Sequence, residues 1–270
     1  MSVLQAVILG VIQGLTEFLP ISSSAHFVIF PALVGWNRSL PAHSLMVFDV
    51  VLHAGTLVAV LAYFRTDIIS IVAGTLRDFR ARQLGRDSKM VGFLILASIP
   101  AAVVGLKYRG FLERLFQNPV GAGVFLVVTA AILLSADFVA RNALSMDDMN
   151  MTRALVVGLA QALAIIPGVS RSAATISAGI WSGLRRQEAA RFSFLLAIPI
   201  TFGRFLLELR DLGAAHVGLW PNLAGFLTSA VVGYACIAFL LEYLSTHKLR
   251  VFAVYCAVAG TLTIGYFLLQ

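Results

Sequence analysis

Charged residues are scarce in this sequence. Only 12% of its 270 residues are Asp, Glu, Lys or Arg, whereas 59% are hydrophobic. A soluble domain of this size carries about twice that charged fraction, so the composition predicts an integral membrane protein. The strong alternation of polar and apolar residues that marks barrel strands is also missing. Helices are therefore the expected spanning elements, because lipid cannot satisfy the polar groups of an open backbone.

Cysteine and acidic residues are scarce as well. Cys236 and Cys256 both lie in apolar runs, which argues against a disulfide framework or a thiolate metal site. Only 13 acidic residues stand against 20 basic ones, giving a net charge of +7. We assign this excess to basic cytoplasmic loops, so no nucleic-acid partner is expected. The N-terminal stretch has no basic region and no small-residue cleavage site, so it is interpreted as mature fold rather than as a signal peptide.

Six apolar runs are long enough to cross a bilayer, which takes ~20 residues of helix. They cover residues 45–64, 90–106, 119–139, 191–209, 220–243 and 250–269. Two other apolar regions, 2–35 and 153–183, are interrupted by "LPISSSAH" and "IPGVSRS". Each interrupted region predicts two helices joined at a proline turn. The second helix of each pair, of ~12 residues, is too short to cross and suits a re-entrant hairpin.

The two interrupted regions resemble each other. "LGVIQGL" aligns with "VGLAQAL", and after a one-residue gap "FLPISSSA" aligns with "IIPGVSRS". Each region is followed by three candidate crossings, so the order of elements repeats too. We therefore predict a single membrane domain over residues 1–270, with repeats at 1–140 and 141–270. The fold class is an all-α integral membrane protein, with six transmembrane helices plus two re-entrant helix-turn-helix hairpins in an inverted repeat.

The loop at residues 65–89 sets the expected orientation. Its basic residues outnumber its acidic ones, which places it in the cytoplasm by the positive-inside rule. Its apolar residues predict a helix lying on the membrane surface. The first hairpin then enters from the outer face and the second from the cytoplasmic face. Inverted repeats bring such broken segments together near the bilayer midplane, where irregular backbone must line a cavity or be buried in protein.

The two breaks carry the residues of an anion site. Each places hydroxyl groups and free backbone N–H groups at a helix start, where the helix dipole also attracts anions. Gly168 lets backbone approach a ligand closely, and Arg171 supplies a fork of donors that matches two phosphate oxygens. The neutral donors are Ser22, Ser23, Ser24, Ser170, Ser172 and Thr175. For Ser22, Ser24 and Ser172, ordinary N-capping is an equal alternative.

Two ionisable side chains accompany the first break. Glu17 lies four residues after Gln13 on the same helix face, and a carboxylate inside a membrane is costly unless paired. One interpretation is a structural ion pair with Arg171. The other is a ligand for a divalent cation, Mg²⁺ or Ca²⁺, or a general acid or base. His26, in the first turn of the next helix, is a candidate to shuttle a proton or attack phosphorus.

Two more pairs at i, i+4 spacing occur in the crossings. Asp49 and His53 either line the same cavity or simply stabilise their helix, and Arg204 with Glu208 is interpreted as a structural pair. Taken together, the residues predict a phosphate-type site buried in a bilayer. Two functions remain open at this point: phosphoryl hydrolysis on a lipid, or transport of an anion or anionic lipid through the cavity of an inverted repeat.

The segments "QGLTEFLPISSSAH" and "PGVSRSAAT" resemble the two signatures of the undecaprenyl-pyrophosphate phosphatases of the bacitracin-resistance type. The resemblance covers essentially the whole chain. It implies hydrolysis of undecaprenyl pyrophosphate to undecaprenyl phosphate and inorganic phosphate, which recycles the lipid carrier for peptidoglycan and other envelope polymers. It also implies a divalent cation, a multi-pass position in the bacterial inner membrane, an active site open to the periplasmic or outer face, and often a homodimer.

The resemblance assigns eight residues of this sequence to the two signatures: Gln13, Glu17, Ser23, His26, Ser170, Arg171, Ser172 and Thr175. Two positions depart from the family pattern. Gln13 stands at an acidic position; its amide can offer oxygen to a metal but cannot act as a base, so acid and base roles shift to Glu17 and His26. Ala25 stands where glycine is common, which stiffens the turn slightly.

In-line attack on the terminal phosphoryl group is a mechanism consistent with both the residues of the two breaks and the family resemblance. Arg171 and the helix N-termini would hold its oxygens, and a cation bound by Glu17 and Gln13 would bridge the diphosphate. Ser23 is the preferred nucleophile, with His26 or Glu17 as its base. A histidine nucleophile and an activated water stay open. The alternative function is a transporter or flippase of an anionic lipid using the same cavity.

Overall fold

A computed structural model describes residues 1–40, 42–108, 118–140, 143–208 and 218–269, and within these ranges the regular structure is helical. The α-helices are α1 Val3–Phe18, α2 Ser23–Leu33, α3 Trp36–Ser39, α4 Ala42–Tyr63, α5 Arg65–Arg80, α6 Arg86–Lys107, α7 Pro119–Val139, α8 Met151–Leu163, α9 Arg171–Trp181, α10 Arg186–Glu208, α11 Leu219–Thr246 and α12 Arg250–Leu268. A short 3₁₀ turn, Met146–Asp148, precedes α8.

Six of these helices are long and apolar enough to cross a membrane. They are α4, α6, α7, α10, α11 and α12, and each coincides with one of the six apolar runs of the sequence. A helix of a soluble protein buries one apolar face and exposes a polar one. These six helices instead expose many large hydrophobic side chains. The predicted all-α integral membrane fold is therefore confirmed.

The two interrupted regions each form a pair of helices, as predicted. α1 ends at Phe18 and α2 begins at Ser23, while α8 ends at Leu163 and α9 begins at Arg171. The helices α2 and α9 have 11 residues each. At ~1.5 Å per residue they reach about 16 Å, roughly half the hydrocarbon thickness of a bilayer. Neither can cross alone, and their re-entrant placement in the bilayer stays a prediction.

The first helix of each predicted repeat packs on the second crossing of the other. α1 lies along α11, and α8 lies along α6. Glycines bring the backbones close in both contacts: a Cβ on Gly10 would lie 2.8 Å from the Gly225 carbonyl oxygen, and one on Gly158 would lie 2.7 Å from that of Ala97. A two-fold axis that relates the two repeats would produce this reciprocal packing. The division into repeats at residue 140 stays a prediction.

The core positions the end of α1 beside α9 and α10. α9 packs against α7, α8 and α10, and its residues from Ser172 to Ile180 are all buried. Phe18 meets Phe194 of α10 edge to face, with ring centroids 5.4 Å apart, and Phe64 lies against the same ring. These aromatic contacts fix the last turn of α1, where Glu17 is located.

The helix predicted within residues 65–89 is present as α5, and its position on the membrane surface stays a prediction. Its apolar residues Ile69, Val72, Leu76 and Phe79 follow helical spacing and are all exposed, whereas Gly74 is buried against α6. An exposed apolar stripe beside several arginines is typical of a helix that lies at a membrane interface.

Hydrogen bonds order the polar connector before α8. Asp148 accepts from the backbone N–H of Ser145 at 2.8 Å and from the Ser145 hydroxyl at 2.9 Å. These donors hold the pKa of Asp148 below its ordinary value. Asp147 forms an ion pair with Arg86. The pattern Ser145–Asp148 is a capping box, a short signal that accounts for the 3₁₀ turn.

Candidate active site

The two turns that interrupt the helix pairs face each other. Ser24 Oγ, at the start of α2, accepts a hydrogen bond from the backbone N–H of Gly168 at 3.3 Å. Ser172 Oγ, at the start of α9, donates to the carbonyl oxygen of Leu19 at 3.1 Å. Each short helix therefore bonds the turn of the opposite pair. The two motifs "PISSSAH" and "PGVSRS" meet as the predicted repeat requires.

Local sequence explains why each helix pair breaks where it does. Pro20 follows the end of α1, and a proline disfavours a helical residue before it. Ser22 then caps α2 by accepting from the N–H of Ala25 at 3.3 Å, and Ser170 caps α9 by accepting from that of Ala173 at 3.2 Å. The capping alternative for Ser22 is thus confirmed. Its φ of 72° is uncommon for a residue with a side chain and marks local strain.

Glu17 is the centre of the site. Its buried carboxylate accepts from Arg171 Nη2 at 2.9 Å on Oε1. On Oε2 it accepts from Ser23 Oγ at 2.7 Å and from Gln13 Nε2 at 3.0 Å. The ion pair between Glu17 and Arg171, which the sequence left as the structural interpretation, therefore exists. Glu17 also accepts the hydrogen bond of the Ser23 hydroxyl, and a hydroxyl bonded to a carboxylate is the arrangement of a nucleophile and its base.

Two buried polar atoms of this cluster lack a hydrogen-bond partner among the described residues: Gln13 Oε1 and Arg171 Nη1. Buried polar atoms are nearly always paired in folded proteins, so these two atoms, which lie beside the Glu17 carboxylate, are free to bond a ligand atom or water. Arg171 Nη1 can donate to an anion, while Gln13 Oε1 can accept from a hydroxyl or bind a cation. The adjoining cleft is lined by Glu17, Phe18, Thr56, Leu57, Val60, Arg171, Ala197 and Thr201.

The second turn is held by bonds to neighbouring helices. Thr129 of α7 accepts from the backbone N–H of Ser170 at 3.1 Å and donates to the carbonyl oxygen of Gly168 at 3.2 Å. Thr175 Oγ1 lies 2.6 Å from Ser193 Oγ of α10. Of the predicted phosphate-binding residues, Ser170 and Thr175 therefore make structural bonds, and a role in binding phosphate stays a prediction. Thr129 lies outside both motifs, and no sequence signal marked it.

His26 is oriented toward α12. Its Nδ1 lies 2.8 Å from the carbonyl oxygen of Ser22, and its Nε2 lies 2.6 Å from the hydroxyl of Tyr255. The two rings also stack, with centroids 5.7 Å apart and planes 11° from parallel. In the neutral ring Nδ1 donates to the carbonyl, which leaves Nε2 to accept from the tyrosine. Tyr255 is a residue that the sequence analysis missed, because helical spacing does not reveal which distant helix meets a turn.

A second polar group adjoins Glu17. Arg204 of α10 donates through Nη2 to Asp49 Oδ2 at 2.6 Å and lies with Nη1 3.2 Å from His53 Nε2. That same imidazole nitrogen is 3.5 Å from Glu17 Oε2. The predicted pair of Arg204 and Glu208 is present. The prediction did not include the contacts of Arg204 with Asp49 and His53. His53 thus contacts both Glu17 and Asp49, although neither Asp49 nor His53 is among the residues that line the cleft.

Replacing Gly168 by alanine is expected to destabilise the protein by about 2–5 kcal/mol, from backbone strain and overpacking together. Gly168 has a φ of +100°, and a Cβ there would lie 2.6 Å from Phe125 Cβ and 2.9 Å from the Ala122 carbonyl oxygen. Thermal unfolding in detergent measures the change. Gly35→Ala is the matched control, because its φ is +71° with no atom within 4 Å. Equal melting temperatures for the two variants would contradict the argument from close packing.

Comparisons with known proteins identify the family. The family model described as "Bacitracin resistance protein BacA" matches residues 6–262. A protein named undecaprenyl-diphosphatase from Moorella thermoacetica is 43% identical over 270 residues, covering 100% of both chains. Proteins of the same name come from Methanosphaera stadtmanae, 38% identical over 98% of both chains, and from Pelobacter propionicus, 43% identical over 96% of this chain and 95% of its relative. With its two motifs brought together on facing helix pairs, the chain belongs to the BacA bacitracin-resistance family.

Proposed function

We propose that this protein hydrolyses undecaprenyl diphosphate to undecaprenyl phosphate and inorganic phosphate. The observation that carries the proposal is the arrangement of Ser23, Glu17 and Arg171: a hydroxyl 2.7 Å from a buried carboxylate that is itself 2.9 Å from a guanidinium. Relatives of full-length similarity are named for this activity. The transporter alternative raised by the sequence finds no support in those names.

The chemistry follows from the contacts of Ser23. Its Oγ forms a bond to the terminal phosphorus while the bond from that phosphorus to the bridging oxygen breaks, which releases undecaprenyl phosphate. Glu17 Oε2 takes the hydroxyl proton. Arg171 keeps Nη2 on Glu17 and offers its free Nη1 to a phosphoryl oxygen, where negative charge grows in the transition state. Water then hydrolyses the phosphoserine, and a water proton returns through Glu17 to Ser23.

Glu17 is favoured over His26 as the base. Ser23 already donates to Glu17, whereas the ring of His26 bonds the carbonyl of Ser22 and the hydroxyl of Tyr255. We assign His26 the task of orienting the serine-rich turn, with Tyr255 fixing its ring. The neutral donors around this turn, including Ser24, would contact the diphosphate oxygens once substrate replaces their present partners.

The active site is proposed to open to the periplasmic face of a bacterial inner membrane, with the polyprenyl chain lying in the bilayer. Two features support this orientation. The arginines of α5 favour a cytoplasmic position for that helix. Asp49, near the opposite end of α4 from α5, then lies toward the outer face. A homodimer, implied by the family resemblance, is part of the same proposal.

A divalent cation is part of the proposal. Within the described segments no group of three His, Cys, Asp or Glu side chains is arranged to hold a metal. The carboxylate of Glu17 and the unpaired Oε1 of Gln13 are nevertheless the hard oxygen donors that Mg²⁺ and Ca²⁺ prefer. These two residues fit such an ion when substrate phosphate and water complete its coordination. Bound there, the ion would neutralise charge on the diphosphate.

The cation assignment predicts a change in metal dependence when Gln13 is replaced by leucine. We expect EDTA to abolish phosphate release and Mg²⁺ to restore it, with the Gln13 variant needing roughly tenfold more Mg²⁺ for half its maximal rate. Gln161→Leu is the matched control: it is also buried with an unpaired Oε1, but its Nε2 bonds the Ala97 carbonyl oxygen on α6. Identical Mg²⁺ curves for both variants would remove Gln13 from the site.

The function is tested by measuring phosphate release from undecaprenyl diphosphate by purified protein in detergent with Mg²⁺ or Ca²⁺. The proposal predicts release of one of the two phosphates, and an acid quench during turnover should trap a phosphate ester on Ser23 that mass spectrometry can locate. Absence of release under these conditions refutes the activity. Lipid movement across vesicles without phosphate release would establish the transporter instead.

A further inference from the structure

The two faces of α5 carry different residues. The face that packs on the protein repeats at spacings of three and four residues, through positions 67, 71, 74 and 78. On this face Gly74 is buried and Ile71 is partly buried. The opposite face repeats at the same spacings through exposed apolar residues, Ile69, Val72, Leu76 and Phe79. Phe79 is 82% exposed, and Leu84 in the turn after α5 is 79% exposed. α5 therefore presents an apolar stripe on its outer face.

The acidic residues from α5 to the first turn of α6 all contact the protein itself. Asp67 pairs with Arg191 of α10 at 2.5 Å. Asp78 accepts from the backbone N–H of Ser88 at 3.3 Å and from its hydroxyl at 2.6 Å. Asp87 lies against the buried glycine of α5, where an added Cβ would be only 1.7 Å from its Oδ2. These carboxylates stabilise the fold and do not offset the charge of the outer face.

The cations of the same stretch point the other way. Arg77, Arg80 and Arg82 are exposed, and none of the three forms an ion pair with the residues that the structure describes. An open groove of about 470 Å³ adjoins them, lined by Asp78, Phe79, Arg82, Gln83 and Leu84. Sites for small molecules and single headgroups have volumes of ~300–1,000 Å³. The groove joins a guanidinium, which bonds phosphate oxygens well, to two exposed apolar side chains.

The connections of α5 limit where this face can lie. α4 ends at Tyr63 and α5 begins at Arg65. α5 ends at Arg80 and α6 begins at Arg86. Because α4 and α6 are both long and apolar enough to cross a membrane, α5 is tethered at each end beside lipid headgroups. An apolar stripe with arginines beside it matches an anionic phospholipid there, since acyl chains cover the stripe and phosphates meet the guanidinium groups.

We propose that the outer face of α5 and the turn after it bind anionic phospholipids of the adjoining leaflet. Phe79 and Leu84 lie among the acyl chains. Arg80 and Arg82 bond the headgroup phosphates. None of these residues belongs to the proposed active site, so the inference does not depend on the hydrolysis. Binding should favour phosphatidylglycerol, which is anionic, over phosphatidylcholine, which has no net charge.

The experiment places a fluorophore beside the groove. Both native cysteines are buried, so a cysteine introduced by Gln83→Cys in the full chain is labelled selectively. The labelled protein in detergent is titrated with phosphatidylglycerol or with phosphatidylcholine, and the shift of its emission is recorded. We expect a saturating shift with phosphatidylglycerol and a much smaller one with the same amounts of phosphatidylcholine. Arg80→Gln combined with Arg82→Gln should raise the phosphatidylglycerol needed for half the shift roughly 25-fold, since each arginine near an anionic surface contributes about fivefold.

Lys248→Gln combined with Arg250→Gln is the matched control, because it removes two exposed cations where α11 meets α12. Its half-maximal amount should stay within about twofold of the unsubstituted protein. Melting temperatures are compared, and Arg82→Gln alone, with a change of about fivefold, replaces the double variant if that does not fold. Equal responses to the two lipids, or an equal shift with inorganic phosphate in place of lipid, would overturn the proposal. A shift that grows with protein concentration without lipid would assign this face to a second copy of the chain instead.

Discussion

Replacing Glu17 by glutamine is expected to lower the rate of phosphate release by about 10³-fold, within the range for removal of a general base. The amide keeps the shape of the side chain, and its oxygen can still accept from Arg171, but the NH₂ group that replaces Oε2 can only donate to Ser23 Oγ. It cannot take the proton of Ser23. Single-turnover measurements with undecaprenyl diphosphate should show that formation of the phosphoserine is the step that slows.

The same substitution leaves the guanidinium of Arg171 without its counter-charge, and breaking a buried pair in this way costs about 3–5 kcal/mol. Melting temperature in detergent must therefore be measured beside activity, so that loss of folding is not taken for loss of the base. Glu242→Gln, at an exposed position of α11, is the control for a general effect of removing a carboxylate. A folded Glu17→Gln protein within tenfold of wild-type kcat would exclude Glu17 as the base.

Replacing Arg171 by lysine is expected to lower kcat by about 10²–10³-fold, although the positive charge is retained. The guanidinium contacts Glu17 through Nη2 and has Nη1 free for a phosphoryl oxygen, so one rigid group serves both partners. A lysine ammonium is a point charge that cannot span both positions with the same geometry. The loss should appear mainly in kcat, because the contact strengthens as charge builds up on phosphorus.

Arg153→Lys provides the control for this exchange. Arg153 also stands near a helix start, where it donates to the carbonyl oxygens of Ser182 and Asp148. Its replacement should affect stability slightly and leave kcat unchanged. Vanadate inhibition adds a second measurement, since an analogue of the transition state should bind the Arg171 variant much more weakly. Equal inhibition of wild type and variant would show that Arg171 serves the ion pair alone.

Much of the fold was predictable because membranes impose simple rules. The six crossings followed from the length of the apolar runs, and the two breaks followed from Pro20 and Pro167 with hydroxyl residues behind them. The helix ends differ from the predicted ones by a few residues where polar side chains continue a helix beyond its apolar run. One such end is the start of α10 at Arg186. The short helix α3 was missed, because four residues are too few for a periodic pattern.

The site was predictable only where its residues lie in the two motifs. Spacing showed that Gln13 and Glu17 share a face, and the repeat indicated that Arg171 would approach them. Contacts between helices far apart in the chain carry no such signal. Tyr255 is 229 positions from His26, and Arg204 is 155 positions from Asp49. Both depend on the packing of whole helices, which composition and periodicity do not determine.

The ion pair of Glu17 has a consequence for biosynthesis. Its partner Arg171 lies 154 positions later in the chain, so at ~5–20 residues per second the carboxylate waits about 8–30 seconds for its counter-charge. α1 waits still longer for α11, the helix it packs along. A lone carboxylate is too costly to keep in hydrocarbon. We infer that the first hairpin stays at the water interface or keeps Glu17 protonated until the second hairpin arrives, which makes completion of the site a late event in the maturation of the protein.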